Sequence, residues 1–286
     1  MRTSESTRSK SVANFVAAIG RDAAERYSLA ARSTPWGRAS DYYADNVSGT
    51  AHVIAGCQRQ GVKRLVFVSS PSVVFDGRDH VNVAEDTPYP RRLMSVYSES
   101  KKHAEELVRQ AGQAGLETVI LRPKAIFGPG DTTLLPRIVD AARAGRLPRI
   151  GDGLNRVDLT YVENVVDALL LSLRSPTAVG RTYFITNGES PRIWEVIATV
   201  LQRQGISKPL RPVPYRVVDA MARWLEFRAR FTGREPTLTR YTAAILARTQ
   251  TYDITAARRD LRDVPRVSVA EGIERTLATP CEETSI

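Results

Sequence analysis

Tyr97 and Lys101 stand four residues apart in VYSESKKHAEELV, residues 96–108. On a helix that spacing puts both side chains on one face. A phenol works as a general acid or base near neutrality only when its pKa is lowered, and an ammonium beside it favours the phenolate. A YxxxK match alone is weak, because amphipathic helices produce it by chance. The hydroxyl cluster that ends RLVFVSSPSVVF, about thirty residues earlier, strengthens it. Residues just past the carboxyl end of a parallel strand face the ligand crevice of an open α/β sheet. Ser69 and Ser70 are thereby placed to hydrogen-bond a substrate carbonyl or hydroxyl, and spacing does not separate the two.

Such a set needs a sheet and helices to hold it. From residue 41 onward short β-rich runs alternate with helical segments, the signature of a parallel sheet flanked by helices. Residues 46–60 read as a helix, with Val47, Thr50, Val53, Ile54 and Cys57 at helical spacing and Gly61 at the C-cap position. The nearly continuous apolar run 64–69 reads as a strand buried on both faces. A helix over about 95–111, a strand at 117–121, helices at 134–144 and 162–173 and a strand at 181–186 follow. After Pro191 the texture becomes mainly helical, with helices at 194–204 and 217–231 around a proline-spaced connector. The spacing predicts a Rossmann-like doubly wound α/β sheet over residues 29–190 and a small, mainly helical lobe over 191–286, behind an atypical N-terminal segment 1–28.

Composition narrows the function classes. The chain of 286 residues is 42% hydrophobic and carries a formal net charge of +10. Its arginines (Arg137, Arg143, Arg146, Arg223, Arg228, Arg230) are scattered through helical segments without interleaved aromatics, so nucleic acid is not an expected partner. Two cysteines, Cys57 and Cys281, and three histidines argue against a disulfide framework or a zinc site. There is no long apolar run and no apolar stretch behind the polar opening MRTSESTRSK, so the expected location is the cytoplasm.

Five segments, DNVSGTAHVIAGC, GVKRLVFVSS, YSESK, LRPKAIFGPGD and VDLTYVENVVDALLLSL, resemble in order and spacing the hallmark segments of extended short-chain dehydrogenases, the family of NAD-dependent epimerases and 3β-hydroxysteroid dehydrogenases. The SSPSVVFDG loop, EDTPYP and VPYRVVDAMARW resemble the branch of 3β-hydroxysteroid and 4-carboxysterol 3-dehydrogenases and 2-alkyl-3-oxoalkanoate reductases. The resemblance implies that Tyr97 is the general acid/base, that Lys101 lowers its pKa and holds the nicotinamide ribose, and that Ser70, or alternatively Ser69, polarises the reacting carbon–oxygen bond. It also implies cofactor contacts at Ala30, Ala31, Asn46 and Pro123, with NAD favoured over NADP. The implied activity is oxidation or reduction at a secondary alcohol or ketone of a bulky apolar substrate. A nucleotide-sugar epimerase or dehydratase, and a non-catalytic remnant, are the alternatives.

Family members begin with a strand and a GxxGxxG turn that brings backbone amides to the pyrophosphate. Residues 1–28 contain Gly20 as their sole glycine, and residues 11–27 read as an unrelated short helix. The expectation is therefore a truncated or mis-started chain that lacks the first strands of the sheet. A degenerate paralogue, or a sheet completed by a partner, would leave the same pattern.

The helix at 217–231 places Val217, Met221, Trp224, Leu225 and Phe231 along one stripe. It is expected to close over the substrate crevice as a lid, with Trp224 and Leu225 facing inward. Weak contact of this stripe with an anionic membrane surface is the alternative. The partners expected are thus a small apolar substrate, at most a peripheral membrane contact, and a second copy in a homodimer.

Overall fold

The computed structural model describes residues 25–28, 31–34, 36–131, 134–207 and 209–278. Four strands form its main sheet in the order β1 (Glu25–Ser28), β2 (Arg64–Val68), β3 (Glu117–Pro123) and β4 (Thr182–Ile185). All three pairings are parallel, and Arg64 lies opposite Glu25 on one side and Glu117 on the other. Parallel neighbours require crossovers, and helices supply them. They are α1 (Gly49–Arg59), α2 (Val96–Gln113), α3 (Leu135–Arg143) and α4 (Val162–Arg174).

Alternation along the strands divides the core into two layers. Leu65, Phe67 and Ile120 face α1 and α2, where Ile54, Cys57, Ala104 and Val108 meet them. Val66, Val119, Leu121, Tyr183 and Ile185 face the other way, onto Val165, Ala168 and Leu169 of α4. A sheet covered by helices on both sides accounts for the nearly unbroken apolar runs in β2 and β3.

The later part of the chain adds α5 (Ile193–Arg203), α6 (Tyr215–Thr232), α7 (Arg240–Ala247), α8 (Thr255–Asp260) and α9 (Val269–Ala278). Their core joins Phe127 and Tyr161 to Trp194, Ile197, Val218, Ala243 and Ile273. Gln250–Tyr252 returns to pair in parallel with the short strand His80–Val83, and Ala257 and Leu261 pack under the sheet itself. Among the described residues no helix is long and apolar enough to cross a membrane.

Two sequence expectations are corrected. The helix read over 11–27 does not hold at its end, because Glu25–Ser28 is an edge strand paired with β2; residues 11–24 lie outside the described residues. The lid orientation of α6 is also wrong. Trp224 is 58% exposed, Val217, Met221 and Phe231 are exposed too, and Leu225 is half-buried. The face turned inward consists of the smaller Val218, Ala222 and Ala229, which let the helix sit close to its neighbour α7.

Candidate functional site

The sheet's carboxyl edge gathers the residues singled out from the sequence. Helix α2 begins at a Ser95 cap, whose Oγ accepts from the Ser98 N–H at 3.1 Å. That cap satisfies an amide left free at the helix start and fixes where the first turn lies. Tyr97 stands in this first turn, half-buried. Opposite it, Ser70 follows β2 in extended backbone and caps a short 3₁₀ turn, Pro71–Val73, by accepting from the Ser72 N–H at 3.2 Å.

The two adjacent serines part company here. The Ser70 hydroxyl lies near the Tyr97 phenol and favours its charged form. Ser69 is buried and stands beside the Glu105 carboxylate, on the inner side of α2. Successive residues leaving a strand point to opposite sides, so only one of the pair reaches the crevice. Burial raises the Tyr97 phenol above its ordinary value, the Ser70 hydroxyl opposes that rise, and the nearby Tyr42 adds to it.

Lys101 is 2% exposed and its Nζ donates to the Val68 carbonyl at 2.7 Å. The ammonium also lies 4.1 Å from the centroid of the Phe67 ring. Burial pushes it down to about 8, with Glu105 acting in the opposite direction. The group that opposes burial at Tyr97 in this arrangement is thus Ser70, while Lys101 is directed at the end of β2.

Asn46 lies in a π-helical turn, Tyr43–Ser48, just ahead of α1. Its Nδ2 donates to Ser100 Oγ at 2.9 Å and to the Arg32 carbonyl at 3.1 Å, and its Oδ1 accepts from the Arg32 N–H at 2.7 Å. One buried amide thereby ties the segment after β1 to the residue preceding Lys101. Ala31 is exposed, and Ala30 lies outside the described residues. Pro123 is buried at the end of β3, opposite Ile185 of β4. Beyond it Thr160 Oγ1 donates to the Lys124 carbonyl at 2.6 Å and to the Ile185 carbonyl at 3.0 Å, so the LTYVEN segment fastens the ends of β3 and β4.

Other groups at this edge were missed from sequence. Tyr241 of α7 faces Tyr97: burial and the Tyr97 charge raise its phenol, and the neighbouring Ser72 and Ser98 hydroxyls pull the other way. Lys124 is buried, donates from Nζ to Gln250 Oε1 at 2.6 Å and is pushed down by burial to about 8, with Asp158 opposing. Beneath the site Glu105 and Arg122 form a buried bidentate pair at 2.7 and 2.9 Å, joined by Tyr89 Oη at 2.5 Å. Burial pushes Glu105 up, but the bonds and charge of Arg122 outweigh it and hold the carboxyl below its usual range. Tyr241 carries no local signal, since it comes from the far end of the chain. The Glu105–Arg122 pair was readable only as two charges inside an apolar pattern.

The donor set fits one half of a dinucleotide. A buried cation at Lys101, the phenol of Tyr97 and the anchored turn at Asn46 suit a ribose and nicotinamide, whereas no GxxGxxG turn for a pyrophosphate occurs among the described residues. Residues 29–214 match the 3-beta hydroxysteroid dehydrogenase/isomerase family. The chain belongs to that family. It is 40% identical over 250 residues to the 3beta-hydroxysteroid-dehydrogenase/decarboxylase isoform 1 of Arabidopsis thaliana, covering 82% of this chain and 57% of that enzyme. A 2-alkyl-3-oxoalkanoate reductase of Stenotrophomonas maltophilia is 37% identical over 258 residues, covering 87% of this chain and 78% of the relative. This 3-beta hydroxysteroid dehydrogenase family member thus spans little more than half the length of the plant enzyme. In three dimensions it is similar to an epimerase of Methanothermobacter thermautotrophicus, with a TM-score of 0.74 at 21% identity, covering 94% of this chain and 74% of the other. At that identity the likeness speaks for the Rossmann-like fold.

Proposed function

We propose that this chain is an NAD(P)-dependent oxidoreductase, NAD favoured, acting on a secondary alcohol or ketone of a bulky apolar substrate. The observation that carries the reading is the closeness of the Ser70 hydroxyl to the Tyr97 phenol at the carboxyl edge of the sheet, with the buried Lys101 one turn further along the same helix. In the reducing direction the Ser70 hydroxyl donates to the substrate carbonyl oxygen and the Tyr97 phenol delivers the proton to it. Lys101 holds the ribose side, Asn46 anchors α2 beside the cofactor through Ser100, and Pro123 lines the nicotinamide amide. A nicotinamide bound there supplies the hydride.

An apolar substrate agrees with the packing beside the site. A cavity of about 50 Å³, which marks apolar packing and is far smaller than a pocket for a steroid-sized ligand, is lined by apolar side chains alone, among them Ala125, Leu134, Val157, Ile197 and Ile245. Ile245 lies one helical turn after Tyr241, and Ala125 lies two residues after Pro123. Relatives whose names specify hydroxysteroid and alkyl-oxoalkanoate substrates support the same class.

Fluorescence titration of the purified chain with NADH and NADPH tests the reading. A saturable change, followed by oxidation of the reduced cofactor on adding a long-chain 3-oxo acid or a 3-oxosteroid, is expected. Absence of saturation with both cofactors would make the chain a non-catalytic member.

A further inference from the structure

We propose that the junction of residues 149–155, Tyr215 and Arg248 is a carboxylate subsite, in which the Arg149 and Arg248 guanidinium groups hold an acidic group at the end of the substrate remote from the reacting carbon. That the bound molecule is a substrate rests on the oxidoreductase reading; that the junction binds a carboxylate does not. Three segments meet there. Arg149–Ile150 pairs in parallel with Pro212–Val213, and α7 lies beside that pair. Asn155 Nδ2 donates to the carbonyls of Leu246 and Arg248, each at 3.2 Å, which ties the loop after Ile150 to the end of α7. Arg248 stacks on Tyr215, its guanidinium 4.5 Å from the ring centroid. The stem of Arg149 lies across Gly153, where an added Cβ would meet Arg149 Cδ at 3.0 Å.

The donors left over at this junction point to an anion. Arg149 Nε and Arg248 Nε are buried without a hydrogen-bond partner, a costly state for a charged donor. Among the described residues no carboxylate pairs with Arg149, and Arg248 meets Asp79 only through Nη1, at 3.5 Å. The Nε–Nη2 edge of a guanidinium is the fork that takes a carboxylate with two bonds. Arg122 uses that edge on Glu105, and Arg266 uses it on Asp167. Other charged groups nearby are engaged elsewhere: Asp152 accepts the Leu154 N–H at 2.9 Å, and Arg156 donates to the Ser190 carbonyl at 2.8 Å. Since Asp79 already offsets part of the Arg248 charge, what remains suits a singly charged carboxylate. Position decides what carries it. Arg248 ends α7 seven residues after Tyr241, which stands beside Tyr97. Seven residues are nearly two turns, so the two side chains leave the same side of the helix about 10 Å apart along it. Ile245 lies between them on that side. A phenol, an apolar residue and a pair of cations in that order match a ketone, an apolar body and a carboxylate, as in a 3-oxosteroid with an acidic side chain.

The test is calorimetric titration of the full chain with 3-oxo-5β-cholan-24-oic acid and with its methyl ester, which differ in the charge of the remote group, beside NADH-dependent reduction of both. The acid should bind at least about tenfold tighter than the ester, and high salt should narrow the gap. R149Q/R248Q should bind acid and ester to within a few-fold of each other, and R248K, which keeps the charge but loses the fork, should fall between the parent and that variant. Should a variant melt early, the parent still decides through its preference for the acid over the ester. Tighter binding of the acid without turnover of either compound supports the subsite and counts against the oxidoreductase reading alone. Equal binding of acid and ester by the parent, or a folded R149Q/R248Q that keeps the preference, would overturn the proposal.

Discussion

Lys101 Nζ donates to the carbonyl of Val68, the last residue of β2, at 2.7 Å, which places a buried cation between the sheet and α2. Burial depresses this lysine to about 8, and Lys124 likewise. In the unfolded chain a lysine keeps its proton to about 10.4. Between about pH 8 and about pH 10 the unfolded state therefore binds more protons, and unfolding free energy rises with pH across that window. Below it both states are protonated and the burial penalty acts in full. Urea denaturation of the parent and Lys101→Met should show the parent gaining on the variant by up to about 3 kcal/mol across the window. Parallel profiles would mean that the lysine titrates as it does in water.

Tyr97→Phe removes the hydroxyl beside Ser70 and leaves the ring in place. Turnover should fall by at least ~10²-fold while the affinity for reduced cofactor stays within a few-fold, as for loss of a general acid/base. Steady-state kinetics beside the fluorescence titration separates the two quantities. Retention of most of kcat would take the proton-transfer role away from Tyr97.

Burial and the nearby Tyr97 charge raise the Tyr241 phenol, which places the Tyr241 side chain beside Tyr97. Tyr241→Phe should lower kcat by about tenfold and move the basic limb of the pH–rate profile upward, because a wholly apolar ring beside Tyr97 disfavours its charged form. An unchanged pH profile with a raised KM would instead make Tyr241 part of the substrate wall.

The Glu105–Arg122 pair is 0% and 1% exposed at its side chains, and Tyr89 and Arg109 also meet the carboxylate. Arg122→Met leaves Glu105 buried with too little compensation and should cost about 3–5 kcal/mol in denaturant unfolding. Glu105→Gln combined with Arg122→Met should recover most of that loss, since the uncompensated charge is gone. A double variant no more stable than the single one would show that packing, not charge, sets the cost.

Much of this architecture is legible in the chain before folding, because the signals are local. The apolar runs of β2 and β3 mark strands covered on both faces, and the four-residue spacing of Tyr97 and Lys101 needs only a helix. Five ordered segments identify the family that the match over residues 29–214 shows. Other features depend on contacts between distant residues and leave no periodic trace. Ser69 and Ser70 are the same residue type, and only the direction of β2's last peptide against α2 sends one to Glu105 and the other to Tyr97. Tyr241 reaches the site because α6 and α7 pack together, and Glu25–Ser28 is a strand because β2 offers it an edge. The orientation of α6 illustrates the physical reason. Hydrophobic periodicity ranks side chains by their apolar size and points Trp224 inward, whereas close packing selects the small Val218, Ala222 and Ala229 for the inner face and leaves the aromatics outside.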